Sequence, residues 1–149
     1  LRLKIYHKKI KTMYPAELVR PMSEELTRNG FLGLTTPEEV KELLEKTEGT
    51  VLLVVNSVCG CAAANARPGA RMAVQNAKKP DILATVFAGV DGNAVATARE
   101  YLLPYPPSSP SIALFKDGKL VHFLERHHIE GRSAHIIADN LKMAFDHFC

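Results

Sequence analysis

The 149-residue chain has no tryptophan, only three cysteines and no apolar run long enough to cross a membrane. Three cysteines, an odd number, do not build the disulfide framework of a small secreted domain. The missing apolar run excludes a helical membrane span, and residues 1–12 show no apolar core of a secretory signal. Cytoplasmic localisation is therefore expected, in a reducing compartment where thiols cycle. A glycine-rich phosphate loop, internal repeats and low-complexity tracts are also missing, which argues against P-loop, solenoid and disordered classes. With 46% hydrophobic content, the length suits one full core and hardly two.

The net charge of +3 conceals an asymmetry. Of the 19 basic residues, Arg2, Lys4, Lys8, Lys9 and Lys11 fall in residues 1–12, which contain no acid, so the rest of the chain carries 14 basic against 16 acidic residues. Two units are expected: a basic extension, residues 1–12, and one domain, residues 13–149. The extension reads as upstream or added sequence ahead of Met13 in preference to an arm for nucleic acid or an anionic membrane. Its alternation of Leu1, Leu3 and Ile5 with Arg2 and Lys4 also suits an edge strand. No nucleic-acid or membrane partner is expected.

The rest of the sequence is organised around residues 51–67, VLLVVNSVCGCAAANAR. A short, β-branched apolar run reads as a buried strand, and it breaks at Cys59-Gly60-Cys61 into an alanine-rich segment of high helix propensity. Two thiols thus sit where a core strand hands over to a helix, and the free N–H groups of a helix start stabilise a thiolate there. Cysteines two apart close a disulfide only on a tightly bent backbone, for which Gly60 supplies the freedom. Such a ring is small and readily reduced. Two ordinary buried cysteines in a tight turn are the plainer reading, which the position between strand and helix disfavours.

Around this stretch the pattern is regular. Pro15 opens a helix with Leu18, Val19, Met22 and Leu26 on one face, Pro21 is expected to kink it, and Asn29-Gly30 ends it. Thr36, Pro37 and Glu39 form a helix start with a capping box. Past the cysteines a helix is expected from Ala62 to Ala77, bent or broken at Arg67-Pro68-Gly69. A second buried strand covers Asp81 to Ala88, and a helix capped by Asp91 runs to Leu102. A proline-rich loop, Leu103 to Pro110, leads to the strand Ser111 to Phe115; Asp117-Gly118 signals a hairpin, and Leu120 to Glu125 returns. A helix from Ser133 to Phe148 closes the chain. The order βαβαββα predicts an α/β fold with a mixed central sheet flanked by helices, plus extra N-terminal helices.

This order, with a cysteine pair after the first core strand and Ser109-Pro110 before the hairpin, resembles the thioredoxin-like arrangement. The resemblance implies a cis peptide bond before Pro110, with Pro110 close to the cysteines and Ser109 presenting its backbone to an extended substrate. Thioredoxins proper carry CxxC preceded by tryptophan; here CxC follows Val58. Asn56-Ser57-Val58-Cys59-Gly60-Cys61-Ala62 followed by Arg67-Pro68-Gly69 is similar to the bacilliredoxin family over essentially residues 13–149. That resemblance implies a thiol–disulfide oxidoreductase that removes bacillithiol from protein mixed disulfides, with bacillithiol as thiol cosubstrate and no bound prosthetic group. Its partners would be bacillithiolated or disulfide-bonded proteins.

Cys59 is then expected as nucleophile and Cys61 as resolving thiol. Substrate contacts are expected from Ser109, Pro110 and Arg67, with Asn56, Ser57 and Gly60 supporting the motif. Arg67 reads equally as a solvated surface arginine, and Asn56 and Ser57 as capping and turn residues. The alternatives are a protein disulfide isomerase or reductase and, in a different class, a metal-binding protein using Cys59 and Cys61 with His122, His127 or His128. Cys149 reads as an idle terminal cysteine, ahead of a third redox thiol or a dimer crosslink.

Overall fold

The fold is built on the strand that ends at the cysteines. A computed structural model describes residues 14–149; the basic extension and its possible edge-strand pairing lie outside the described residues. Strand β2, Thr50–Asn56, is buried at every position because it is paired on both sides. Strand β3, Ile82–Phe87, runs parallel to it and β4, Ser111–Lys116, antiparallel, so that Leu53 faces Ala84 on one side and Ala113 on the other. Strand β5, Lys119–Leu124, pairs antiparallel with β4, and a two-residue β1, Leu32–Gly33, pairs parallel with β3. The five-stranded order is β1-β3-β2-β4-β5. The short edge strand β1 was not anticipated: two exposed residues carry no periodic signal.

Side chains alternate along a strand, and β2 uses both faces. Leu52 and Val54 join Ile112, Leu114 and Leu124 in a core closed by Leu26 of α1 (Ala16–Thr27), Ala70 of α3 (Arg67–Ala73) and Ile137, Leu141 and Phe145 of α6 (Ala134–Phe148). Val51, Leu53 and Val55 join Ala113 and Phe115 in a second core under Val40 and Leu44 of α2 (Pro37–Lys46) and Val95 and Ala98 of α4 (Gly92–Glu100). This is the mixed sheet between helices that the sequence pattern predicts.

Local signals explain most element ends. Thr36 accepts from Glu39 N while the Glu39 carboxylate accepts from Thr36 N, the expected capping box. Ser133 caps α6 by accepting from Ile136 N. Asp117 and Gly118 adopt φ 50° and 78° in the hairpin turn.

Several expectations are corrected. Asp91 stands at the start of α4, but its carboxylate turns back to accept from Phe87 N, so it closes the β3–α4 turn and does not cap the helix, which ends at Glu100. Leu18 is about half exposed, off the buried face formed by Val19 and Leu26. Pro21 lies inside α1, as expected, and the helix continues to Thr27. Between the cysteines and α3 the chain forms a π-helical turn, Ala62–Ala66, in which Arg67 N donates to Ala62 O, five residues back. The wide turn falls just before Pro68, which has no N–H to donate, so helix continues through the point where a bend or break was expected, and it ends at Ala73, short of the expected Ala77. Gly69 fits α3 against α6: a Cβ there would lie 2.7 Å from the Ile137 side chain. Helix α5, Arg126–Ile129, also went unforeseen; four residues are too few for a helical period.

Candidate active site

The loop after β2 is held by a buried polar network. Asn56 has no exposed surface, and it donates from Nδ2 to Met22 O of α1 at 3.1 Å. Its Oδ1 accepts from Ser57 N at 2.9 Å and from Arg67 Nη1 at 3.0 Å. Arg67 Nη1 also donates to Ser57 O at 2.9 Å, and its Nε to Glu25 Oε2 at 3.1 Å. Arg67 is only 3% exposed. It is therefore not a surface arginine, and its three partners engage it beneath the loop. Five N–H donors in a fixed fork suit this task of tying α1, α3 and the end of β2 together.

Above this anchor, Ser57 Oγ accepts from Cys59 N at 3.2 Å. The Cys59 carbonyl accepts from Ala62 N at 2.9 Å and Ala63 N at 3.2 Å, and helix begins at residue 60. Cys59 thus occupies the turn into the helix and Cys61 its first turn. Both are free thiols and half-buried. Gly60 adopts no left-handed conformation and a Cβ there would meet nothing within 4 Å, so the dithiol form does not itself require a glycine at this position.

The two thiols are unequal. Cys59 is pushed below the ordinary thiol range, first by the hydrogen bond from the Cys61 thiol, and further by the Cys61 and Ala62 backbone N–H groups and the charge of Arg126, against an opposing contribution from burial. Cys61 is pushed up, first by burial, then by giving its hydrogen to Cys59 and by the charge of that thiolate. Such a pair favours a single thiolate, at Cys59.

Cys59 opens on a cleft of about 510 Å³ whose lining includes Tyr14, Ser57, Arg99, Ser109 and Arg126; Cys61 is not part of the lining. Ser109 and Pro110 are joined by a cis peptide bond, as expected, and Leu103 and Pro104 by another. Pro110 is buried and immediately precedes β4, whose Ser111 pairs with Val55, so the proline lies alongside the end of β2 that leads to Cys59.

Sequence reasoning missed Arg99, Arg126 and Tyr14. Arg99 sits in the last turn of α4 and Arg126 at the first position of α5. Only the fold brings them to the carboxyl end of β2. The sequence marks them only as basic residues at helix ends, a feature they share with others.

His122, His127 and His128 do not join the cysteines. Among the described residues, the group of ligand atoms close enough to share an ion is Glu125, His127 and His128, with no cysteine. Glu125 N donates to His128 Nδ1 at 3.0 Å in a capping arrangement, and His122 faces Asn140. Cys149, beside Thr50 and Asp81 with its thiol pushed up mainly by burial, lies by the opposite end of β2. A seven-residue strand separates the ends by roughly 20 Å, so Cys149 is out of reach as a partner for Cys59.

Comparison with known proteins agrees with this geometry. Residues 14–149 match the family model described as disulphide isomerase. The chain is 63% identical over 134 residues to a bacilliredoxin of Cytophaga hutchinsonii, covering 90% of this chain and 98% of that protein. It is 55% identical over 137 residues to a bacilliredoxin of Bacillus cereus, covering 91% and 95%. Among solved structures, mitochondrial thioredoxin 3 of Saccharomyces cerevisiae superposes with a TM-score of 0.56 at 16% identity, over 83% of this chain and 98% of that one. Thioredoxin from Schistosoma mansoni gives 0.56 at 16%, over 80% and 98%. The structural matches establish a thioredoxin fold, and the sequence matches are far above what family membership requires. No helix among the described residues is long and apolar enough to cross a membrane. The chain belongs to the bacilliredoxin family and is a thiol–disulfide oxidoreductase of thioredoxin fold.

Proposed function

We propose that this protein removes bacillithiol from mixed disulfides on other proteins, with Cys59 as nucleophile. The observation that carries the reading is the inequality of the cysteine pair: the thiol favoured as thiolate is also the one that opens on the cleft beside Ser109. The Cys59 thiolate attacks the bacillithiol sulfur; the mixed disulfide breaks, and the partner protein leaves as a thiolate that takes a proton from solvent. Bacillithiol is left on Cys59. It is released either by Cys61, closing a Cys59–Cys61 disulfide that a further thiol must reduce, or by a second bacillithiol, giving free Cys59 and oxidised bacillithiol. Bacillithiol acts as cosubstrate, and the reading uses no bound prosthetic group. Ser109 offers its backbone to the substrate, whereas Asn56, Ser57 and Arg67 act by positioning the loop. The protein works on bacillithiolated or disulfide-bonded proteins in the cytoplasm.

The family description as disulphide isomerase supports a second reading, in which the same pair reshuffles protein disulfides. One experiment separates them. Given a protein carrying a bacillithiol mixed disulfide, Cys61→Ser is expected to release the protein thiol and retain bacillithiol as a mass increase on Cys59, and Cys59→Ser to release nothing. Full activity of Cys59→Ser overturns the assignment of the nucleophile. Faster rearrangement of a scrambled protein disulfide than removal of bacillithiol favours the isomerase.

A further inference from the structure

The cleft beside Cys59 is cationic in a way that thiol exchange alone does not require. Two arginines line it, Arg99 from α4 and Arg126 from α5, with the phenol of Tyr14 and the hydroxyls of Ser57 and Ser109, and no aspartate or glutamate is among its lining residues. Arg126 pairs with Glu130 at 3.5 Å, but both side chains are well exposed, so the pair is weak and open to competition. Arg99 differs. Among the described residues no carboxylate lies within ion-pair distance of it, and residues 1–13 contain no acid. Its Nε is buried and has no hydrogen-bond partner among the described residues. A guanidinium that lines an open cleft and has no such carboxylate partner is available to an anion that arrives with the ligand. The acceptor that matches a guanidinium fork is planar, with two oxygens and a negative charge.

We propose that Arg99, with Arg126, binds a carboxylate carried by the low-molecular-weight thiol half of the mixed disulfide, so that the cleft selects the thiol to be removed. This rests on the reading that Cys59 attacks the small-thiol sulfur. In that exchange the new S–S bond ties the small thiol to Cys59 as the bond to the partner protein breaks, with no net oxidation. The remainder of the small thiol is therefore held at the mouth of the cleft throughout. A volume of about 510 Å³ suits a small molecule of this kind. Arg99 acts on binding and orientation and takes no part in the exchange between sulfurs.

The test uses one neutral peptide cysteine capped either with β-mercaptopropionate, which carries a carboxylate, or with β-mercaptoethanol, which does not. Release of the peptide thiol is followed under single-turnover conditions in the Cys61→Ser protein, with and without Arg99→Gln or Arg99→Lys. Dividing the carboxylate rate by the neutral rate cancels general damage to the site. Loss of one charge-assisted hydrogen bond is expected to lower that ratio by about tenfold or more in Arg99→Gln, with Arg99→Lys intermediate and the preference shrinking at high salt. An unchanged ratio overturns the pocket assignment and leaves the bacilliredoxin reading standing. Release from neither probe by the Cys61→Ser parent overturns the thiol-exchange reading and the pocket with it. A third peptide, with aspartates flanking the neutrally capped cysteine, identifies the source of the anion: if Arg99→Gln slows this peptide and not the carboxylate-capped one, the charge belongs to the partner protein and the proposal fails.

Discussion

Replacing Arg67 by alanine tests whether the cysteine loop is held from below. The substitution removes the donor to Asn56 Oδ1, Ser57 O and Glu25 Oε2 at once. The first two acceptors sit in buried residues, and Asn56 Oδ1 keeps only its bond from Ser57 N. Glu25 is about a quarter exposed and has Arg71 at 3.8 Å as a second cation, so water and Arg71 recover part of its loss. Removing one partner of a fully buried ion pair costs about 3–5 kcal/mol, and the partial exposure of Glu25 places the expected loss near the lower end, about 3 kcal/mol. Arg67→Lys keeps the charge but cannot reach three acceptors, and about half that loss is expected. Urea unfolding with an unchanged slope measures both. Hydrogen exchange adds the local readout: protection of the Ser57 and Cys59 amides is expected to fall by more than global destabilisation accounts for. A loss below about 1 kcal/mol in Arg67→Ala, the level of an exposed pair, together with unchanged protection at Ser57, refutes the anchor.

Two other predictions concern the thiols and the helix packing. Because the Cys61 thiol is the principal donor to Cys59, Cys61→Ala is expected to raise the Cys59 titration toward the ordinary thiol value of about 8.5. In a Cys149→Ser background, alkylation by iodoacetamide then slows near neutral pH, where the variant holds less thiolate, and the two profiles meet above about pH 9; superimposable profiles at all pH values count against the hydrogen bond. Gly69→Ala forces a Cβ against Ile137 in the α3–α6 contact and is expected to cost about 1–3 kcal/mol, measured as a lowered denaturation midpoint, whereas Gly60→Ala, with open space at the same atom, is expected to leave stability nearly unchanged.

What the sequence reveals follows from the range of each signal. The apolar run of β2, the Thr36–Glu39 box, the Asp117-Gly118 turn and the Ser133 cap are contacts within a few residues, and all are legible in order along the chain. The cysteine pair is equally visible from its place between a core strand and a helix, and the cis Ser109–Pro110 bond because a family resemblance carries it. The site's charges are not. Arg99 and Arg126 belong to different helices, and no local rule separates them from the other basic residues that mark helix ends. Arg67 fails in the opposite direction: its sequence position suits a solvated side chain, and only the closing of α1 over the end of β2 converts it into a buried tie. Asp91 shows the same limit on a smaller scale, since a carboxylate at a helix start has two amides within reach and the fold chose Phe87 N.

The π-helical turn gives the cysteine segment a mechanical asymmetry. On the strand side, Asn56 and Ser57 are clamped by α1 and Arg67, and β2 itself has neighbours on both edges. On the helix side, Arg67 N spans five residues back to Ala62 O, one residue more than an α-helical bond would. The cysteines therefore lie between a side fixed by buried side-chain and strand bonds and a side joined to its helix through one widened turn.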